Sequence, residues 1–168
     1  IEMKAHWDII QGSDPWHEIR YRKVGGSTSK GLFVKSDTLM LELLGQFLEE
    51  FEPPFDTFES LDMQRGNEFE PIAREELNKY TGIEFKECGW LQCEEIPLLG
   101  ISPDGISECL KFSAEIKCPA MKKHTSTIYT NEIPSDNIHQ CLHYFTVNPL
   151  LEKHYFCSFR PENNIKPL

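Results

Sequence analysis

The sequence predicts an α/β domain, and three observations predict it. Apolar residues recur at helical spacing in several segments. Short apolar runs bounded by Gly, Pro or Asn mark strands. The order along the chain is helices, three strands, one helix and a last strand. Trp16–Tyr21 reads as a short helix opened by Ser13-Asp14-Pro15, since Pro favours a first helical turn. Gly25-Gly26-Ser27-Thr28-Ser29 follows as a loop or helix start with several free hydroxyls. Asp37–Phe51 carries Leu39, Met40, Leu43, Leu44, Phe47, Leu48 and Phe51 at helical spacing, and Glu52-Pro53-Pro54 stops it. Gly66–Tyr80 is the next helix, with Phe69, Ile72, Ala73 and Leu77 inward and Thr81-Gly82 at its end. Phe85–Gln92, Leu98–Ser102 and Phe112–Cys118 are the three strands. Ser135 or Asp136 caps a helix to Val147, stopped by Asn148-Pro149, and Lys153–Phe159 is the last strand. There is no internal repeat and no low-complexity tract.

A chain of 168 residues, 39% hydrophobic, suits one domain over 1–168 with its own core. No apolar run approaches the roughly 20 residues that span a bilayer, and no secretory signal opens the chain. The opening at Ile1 suggests a trimmed chain. Cys88, Cys93, Cys109, Cys118, Cys141 and Cys157 form no CxxC pair and no dense framework, which fits reduced packing thiols and excludes an iron–sulfur cluster. The net charge of -10 excludes a general DNA coat and localises any DNA contact. Basic residues gather at Arg20, Arg22, Lys23, Lys30 and Lys35, and again at Lys117, Lys122, Lys123 and His124. The acidic stretch Glu42–Glu59 is expected to face away from DNA.

The richest segment is 102–117, SPDGISECLKFSAEIK. Strand alternation puts Glu115 and Lys117 on one face and Ile116 on the other. Asp104, one hairpin earlier, joins them. Two carboxylates and an ammonium at a strand pair can hold Mg²⁺ beside a phosphodiester and manage the proton of an attacking water. By itself Ser-Pro-Asp-Gly reads as a tight turn, and Glu115 with Lys117 as an edge-strand ion pair. Charges among Ala114, Ile116 and Cys118 are costly unless paired or liganded, which favours the site. Lys117 would either orient or deprotonate the water. His139 and His143 are spaced for zinc, but no third ligand accompanies them, and a surface helix turn is the expectation.

Four pieces, in order, carry a resemblance: Asp14-Pro15-Trp16-His17-Glu18-Ile19-Arg20, Gly66-Asn67-Glu68-Phe69-Glu70, Ser102-Pro103-Asp104-Gly105 with Glu115-Ile116-Lys117-Cys118-Pro119, and His139-Gln140. Together they resemble the lambda exonuclease and YqaJ-like viral recombinase family of the PD-(D/E)xK nuclease superfamily. The resemblance implies a restriction-endonuclease-like core, a central mixed sheet flanked by helices. It implies metal ligands at Asp104, Glu115, the Ile116 carbonyl and Glu70, with Lys117 and Gln140 completing the catalytic set. Glu70 is favoured over Glu68 because the match runs from Gly66 without a gap; read alone, Glu70 is a solvated helix acid. Arg20 and Ser27 are implied to grip a 5′-phosphate, with Trp16 and His17 packing behind Arg20. The family's second Gln falls here on Leu142. Its further Arg falls on Asp37, leaving Lys30 or Lys35 as the substitute.

The activity implied is a Mg²⁺-dependent 5′-to-3′ exodeoxyribonuclease of the alkaline exonuclease type, acting on ends of double-stranded DNA in phage-type recombination. Mn²⁺ is the expected substitute, with one or two ions per site. The resemblance further implies a homotrimer that threads DNA, a single-strand annealing protein as partner, no membrane, and the cytoplasm of a bacterial host carrying the phage or prophage. The family continues into more strand and helix than the residues up to Leu168 supply. Two alternatives stay open: a structure- or site-specific endonuclease on the same core, with no use for Arg20 and Ser27, and a non-catalytic DNA-end-binding module.

Overall fold

A computed structural model describes residues 2–55 and 59–162; positions 1, 56–58 and 163–168 of the expected domain, and so part of the acidic stretch, lie outside the described residues. The elements in chain order are β1 (Met3–His6), α1 (Asp14–Arg20), a 3-10 turn (Gly26–Thr28), α2 (Lys30–Phe33), α3 (Asp37–Leu48), α4 (Leu61–Thr81), β2 (Trp90–Cys93), β3 (Gly100–Ile101), β4 (Gly105–Ile106), β5 (Phe112–Lys117), α5 (Met121–Thr130), α6 (Ser135–Val147) and β6 (Lys153–Ser158). No helix among the described residues is long and apolar enough to cross a membrane.

The strands form two three-stranded sheets. In one, β2 pairs antiparallel with both β1 and β3. In the other, β5 lies antiparallel to β4 and parallel to β6, so this is the mixed sheet the sequence implies. A parallel neighbour requires a crossover, and α5 and α6 supply it. The core has two parts. Val24, Leu91, Ile101, Ile106, Tyr144 and Val147 pack between the first sheet and α6. Ala73, Leu77, Phe85, Ala114, Ile116 and Phe159 join α4 to the mixed sheet.

Helix ends follow local chemistry. Ser36 and Ser60 accept from the amides of Leu39 and Met63 at the starts of α3 and α4. Gly82 closes α4 at φ 71°, a left-handed conformation that suits glycine. Ser60 therefore starts α4 five residues before Gly66, and α3 stops at Leu48 rather than Phe51, whose ring packs edge-on against Tyr21. Ile72, expected inward, is exposed. The strand expected from Phe85 begins only at Trp90; Lys86 makes an isolated bridge to Ile106 instead.

Four elements fall outside the sequence expectation: β1, α2, β4 and α5. The last has no side-chain cap, since Ala120 stands at its N-cap, and its Thr- and Ser-rich sequence has weak helix propensity. Tertiary contact holds it: His124 is buried, its Nδ1 2.9 Å from Ser158 Oγ on β6. The α3 helix differs in packing. Leu39 and Leu43 touch the core, while Met40, Leu44, Phe47 and Leu48 remain exposed.

Candidate active site

The antiparallel pairing of β4 with β5 places Gly105 opposite Ala114 and Ile106 opposite Ser113. The Pro103 carbonyl does not continue this ladder, since it accepts from Gln11 Nε2 at 3.1 Å. The Asp104 side chain takes over: its Oδ2 accepts from the Ile116 amide at 2.7 Å. The turn chemistry of Ser-Pro-Asp-Gly thus aims an acid at the edge of β5. Glu115 is fully buried, with 0% of its surface exposed. Tyr144 of α6 donates its hydroxyl to Glu115 Oε2 at 2.9 Å. The other oxygen, Oε1, lies 2.5 Å from Lys117 Nζ as an ion pair, yet receives no well-directed hydrogen bond. On α4, Glu70 Oε1 accepts from Arg74 Nη2 at 2.6 Å.

Glu70, Asp104, Ile116 and Lys117 line one open cleft of about 400 Å³, with Gly66 and Lys123 also on its walls. Glu115 lies buried beside it. The acids are uncomfortable together. Burial, and then the charges of Glu115 and Glu70, push the Asp104 carboxyl well above the usual carboxylate range. Burial likewise raises Glu70, with Arg74 opposing. Burial draws the Lys117 ammonium down, but Glu115 and Asp104 outweigh it and its pKa is raised.

Such a cluster fits a hard divalent cation. Among the described residues no three His, Cys, Asp or Glu side chains already surround a common point. Mg²⁺ does not require that, because it commonly takes one or two carboxylates and completes its shell with water and substrate phosphate. Glu115 Oε1 is the sign of fit: a fully buried, acceptor-only atom that has the Lys117 ammonium beside it but receives no well-directed hydrogen bond.

Other expected residues lie elsewhere. Gln140 turns toward the 3-10 turn; a Cβ on Gly26 would come within 3.2 Å of its Nε2. Ser27 is exposed on that turn. The Arg20 guanidinium stacks 3.7 Å from the Trp16 ring centroid and has no acidic partner among the described residues. Burial lowers its pKa. Trp16 Nε1 in turn donates to Ser102 Oγ at 2.8 Å, so the Arg20 platform and the Asp104 turn share one scaffold. His17 packs edge-on against Trp16. Lys30 and Lys35 are exposed around α2.

The first basic cluster is thinner than its composition suggests. Arg22 is committed to the Gln46 and Glu49 carbonyls, and Lys23 to the Ile19 carbonyl. His124 is buried and its pKa is lowered, so it adds no charge to the second cluster. His143, expected on a surface turn, is fully buried, 3.0 Å from the Gly100 carbonyl, whereas His139 stacks on Phe33; they share no metal site. Two residues that contact the acids were not apparent from the sequence, Arg74 and Tyr144. Each reads there as an ordinary helix residue, and only tertiary placement gives it a carboxylate partner.

Comparison with known proteins agrees with this fold. A family model for the YqaJ-like viral recombinase domain matches residues 15–149. Among solved structures, an alkaline exonuclease from Laribacter hongkongensis superposes with a TM-score of 0.74 at 27% identity, covering 90% of this chain and 76% of that one. A complex of the same enzyme with dAMP gives a TM-score of 0.73 at 28% identity, covering 92% and 76%. No curated protein matches.

Proposed function

We propose that this chain, which belongs to the YqaJ-like viral recombinase family, is a Mg²⁺-dependent exodeoxyribonuclease that degrades one strand of duplex DNA from its 5′ end. The observation that carries the reading is the gathering of Glu70, Asp104 and Lys117 at one cleft, with the fully buried Glu115 beside it paired to Lys117. The structural likeness to an alkaline exonuclease supports the same class of activity. Glu70, Asp104, Glu115 and the Ile116 carbonyl would hold the cation, with Mn²⁺ as a substitute and one or two ions per site. When bound, the ion supplies Lewis-acid stabilisation of the attacking and leaving oxygens.

The chain's own groups do the rest. Lys117, kept protonated by its carboxylate neighbours, donates toward the phosphate and steadies the charge that builds there. Tyr144 holds Glu115 in place from below. Arg20 offers a guanidinium without an acidic partner, pre-stacked on Trp16, and a planar fork of that kind suits a terminal phosphate. Ser27 adds a hydroxyl from the neighbouring turn. Gln140, against Gly26, braces that turn.

The reading extends to a homotrimer that threads DNA, a single-strand annealing partner and phage-type recombination in a bacterial cytoplasm. The uncovered apolar residues of α3 and α6, such as Leu44, Phe47, Leu142 and Phe145, supply surface for assembly. The test is digestion in Mg²⁺ of linear duplexes with 5′-phosphate or 5′-hydroxyl ends, with a closed circle alongside. Loss of one strand from the phosphorylated duplex, with an Arg20→Ala variant losing the end preference, is the expected result. Cutting of the circle replaces this reading with an endonuclease.

A further inference from the structure

We propose that Arg74 is a positioning residue, whose guanidinium ties the Glu70 carboxylate on α4 to the Asp104 peptide beside β4 and fixes the two acids relative to one another. The inference rests on reading the acid cluster as a cation site. Arg74 Nη2 donates to Glu70 Oε1 at 2.6 Å, and Nε donates to the Asp104 carbonyl at 2.5 Å. Glu87 Oε2 adds a third acceptor at 3.4 Å. The arginine side chain is 13% exposed, so these bonds form largely out of water.

The geometry is specific to arginine. A planar fork reaches two acceptors in fixed directions at once, whereas a lysine ammonium is a point charge on a flexible stem. Asp104 is consequently held at both ends: its carboxylate by the Ile116 amide, its carbonyl by Arg74. Glu70 lines the cleft and makes no hydrogen bond at Oε2 among the described residues, its Oε1 being the oxygen that Arg74 holds. By holding one oxygen of Glu70, Arg74 fixes the rotamer of the whole carboxylate. Outer groups that orient metal ligands in this way commonly change metal affinity or activity by about 10- to 100-fold when removed.

The sign of the effect separates positioning from charge. Removing a cation beside a cation site should, by Coulomb's law alone, tighten metal binding. Loss of a positioning group should weaken it. The experiment is calorimetric titration of Mn²⁺ into the metal-free protein, without DNA, for wild type, Asp104→Asn, Arg74→Gln and Arg74→Lys. Thermal unfolding of each metal-free variant controls for folding, and kcat and KM are measured at saturating Mn²⁺. Arg74→Gln is expected to weaken Mn²⁺ binding about 10- to 100-fold, with KM for DNA unchanged and much of kcat regained at saturation. Arg74→Lys keeps the charge and is expected to be weakened as well. Binding as tight as wild type, or tighter, in Arg74→Gln overturns the proposal. So does wild-type affinity in Arg74→Lys, which also carries the test if the Gln variant fails to fold. A wild type that binds no Mn²⁺, or binds it equally after Asp104→Asn, removes the cation-site reading itself and is a distinct outcome.

Discussion

Asp104 and Lys117 lie in the same cleft but should fail in different ways when removed. Asp104→Asn keeps the shape of the side chain and loses the charge that would hold a cation. Lys117→Ala leaves the acids in place and removes the donor toward the phosphate. Both variants are expected to stay folded. Asp104→Asn should lose Mn²⁺ binding and cleavage together. Lys117→Ala should keep Mn²⁺ binding and lose about 10²- to 10³-fold in kcat, the size expected for one charge-stabilising donor. Parallel metal titration and single-turnover cleavage check the split; near-normal cleavage by Lys117→Ala would refute the assigned role. At this scale the sequence is unusually readable, because Asp104, Glu115 and Lys117 are charged residues in strand-like apolar surroundings. Burial of such groups demands a reason, so the pattern announces chemistry without any coordinates. Arg74 carries no such signal. Its helix is rich in charge, and nothing local marks which arginine meets an acid across the fold.

Among the elements, legibility followed the strength of local signals. The α6 helix spans Ser135–Val147 as its apolar spacing foretells, although Pro134 rather than Ser135 or Asp136 stands at its N-cap and no side chain caps it, and β6 is within one residue of expectation. By contrast β3 keeps only two residues of the strand expected over Leu98–Ser102, and β4, also two residues, is too short for any periodicity and exists because β5 offers a partner. Gly100 shows what β3 needs. A Cβ there would fall 2.1 Å from the Trp90 ring, so only glycine lets the indole lie against the strand. Gly100→Ala should destabilise by about 1–3 kcal/mol through overpacking, read as a lower urea midpoint and a shifted Trp90 fluorescence. The docking of β6 on α6 makes a second prediction. His154 lies 4.2 Å from the Tyr144 ring, and burial lowers its pKa from 6.5 to about 4. Its folded pKa is below its unfolded one, so unfolding takes up a proton. Stability is intact above pH 6.5 and falls as pH drops toward 4, by up to about 3 kcal/mol at 1.36 kcal/mol per unit. His154→Phe keeps the ring contact and should flatten the acid limb of a pH–denaturation curve. His143 and His124 are lowered too, so some slope remains.

For the whole molecule, charge governs how DNA can be held. With 27 acidic and 17 basic residues, the protein repels duplex DNA over most of its surface. The structure narrows the exceptions, since Arg22, Lys23 and His124 are engaged or neutral and the cleft itself offers Lys117 and Lys123. Assembly of several copies would multiply the acidic excess rather than remove it. On the proposed function, affinity therefore has to come from a few local contacts near an end, together with the cation. Each phosphate neutralised contributes about -0.9 to the slope of log K against log salt, so contacts to Arg20, Lys117 and Lys123 predict a slope near -3. Binding of an end-bearing duplex, measured without divalent metal so that only the monovalent salt competes, should show that shallow dependence. A closed circle of the same length should bind far more weakly. A slope near -10 would instead require a broad basic channel, and the fold would then have to make it from residues that this single copy presents elsewhere.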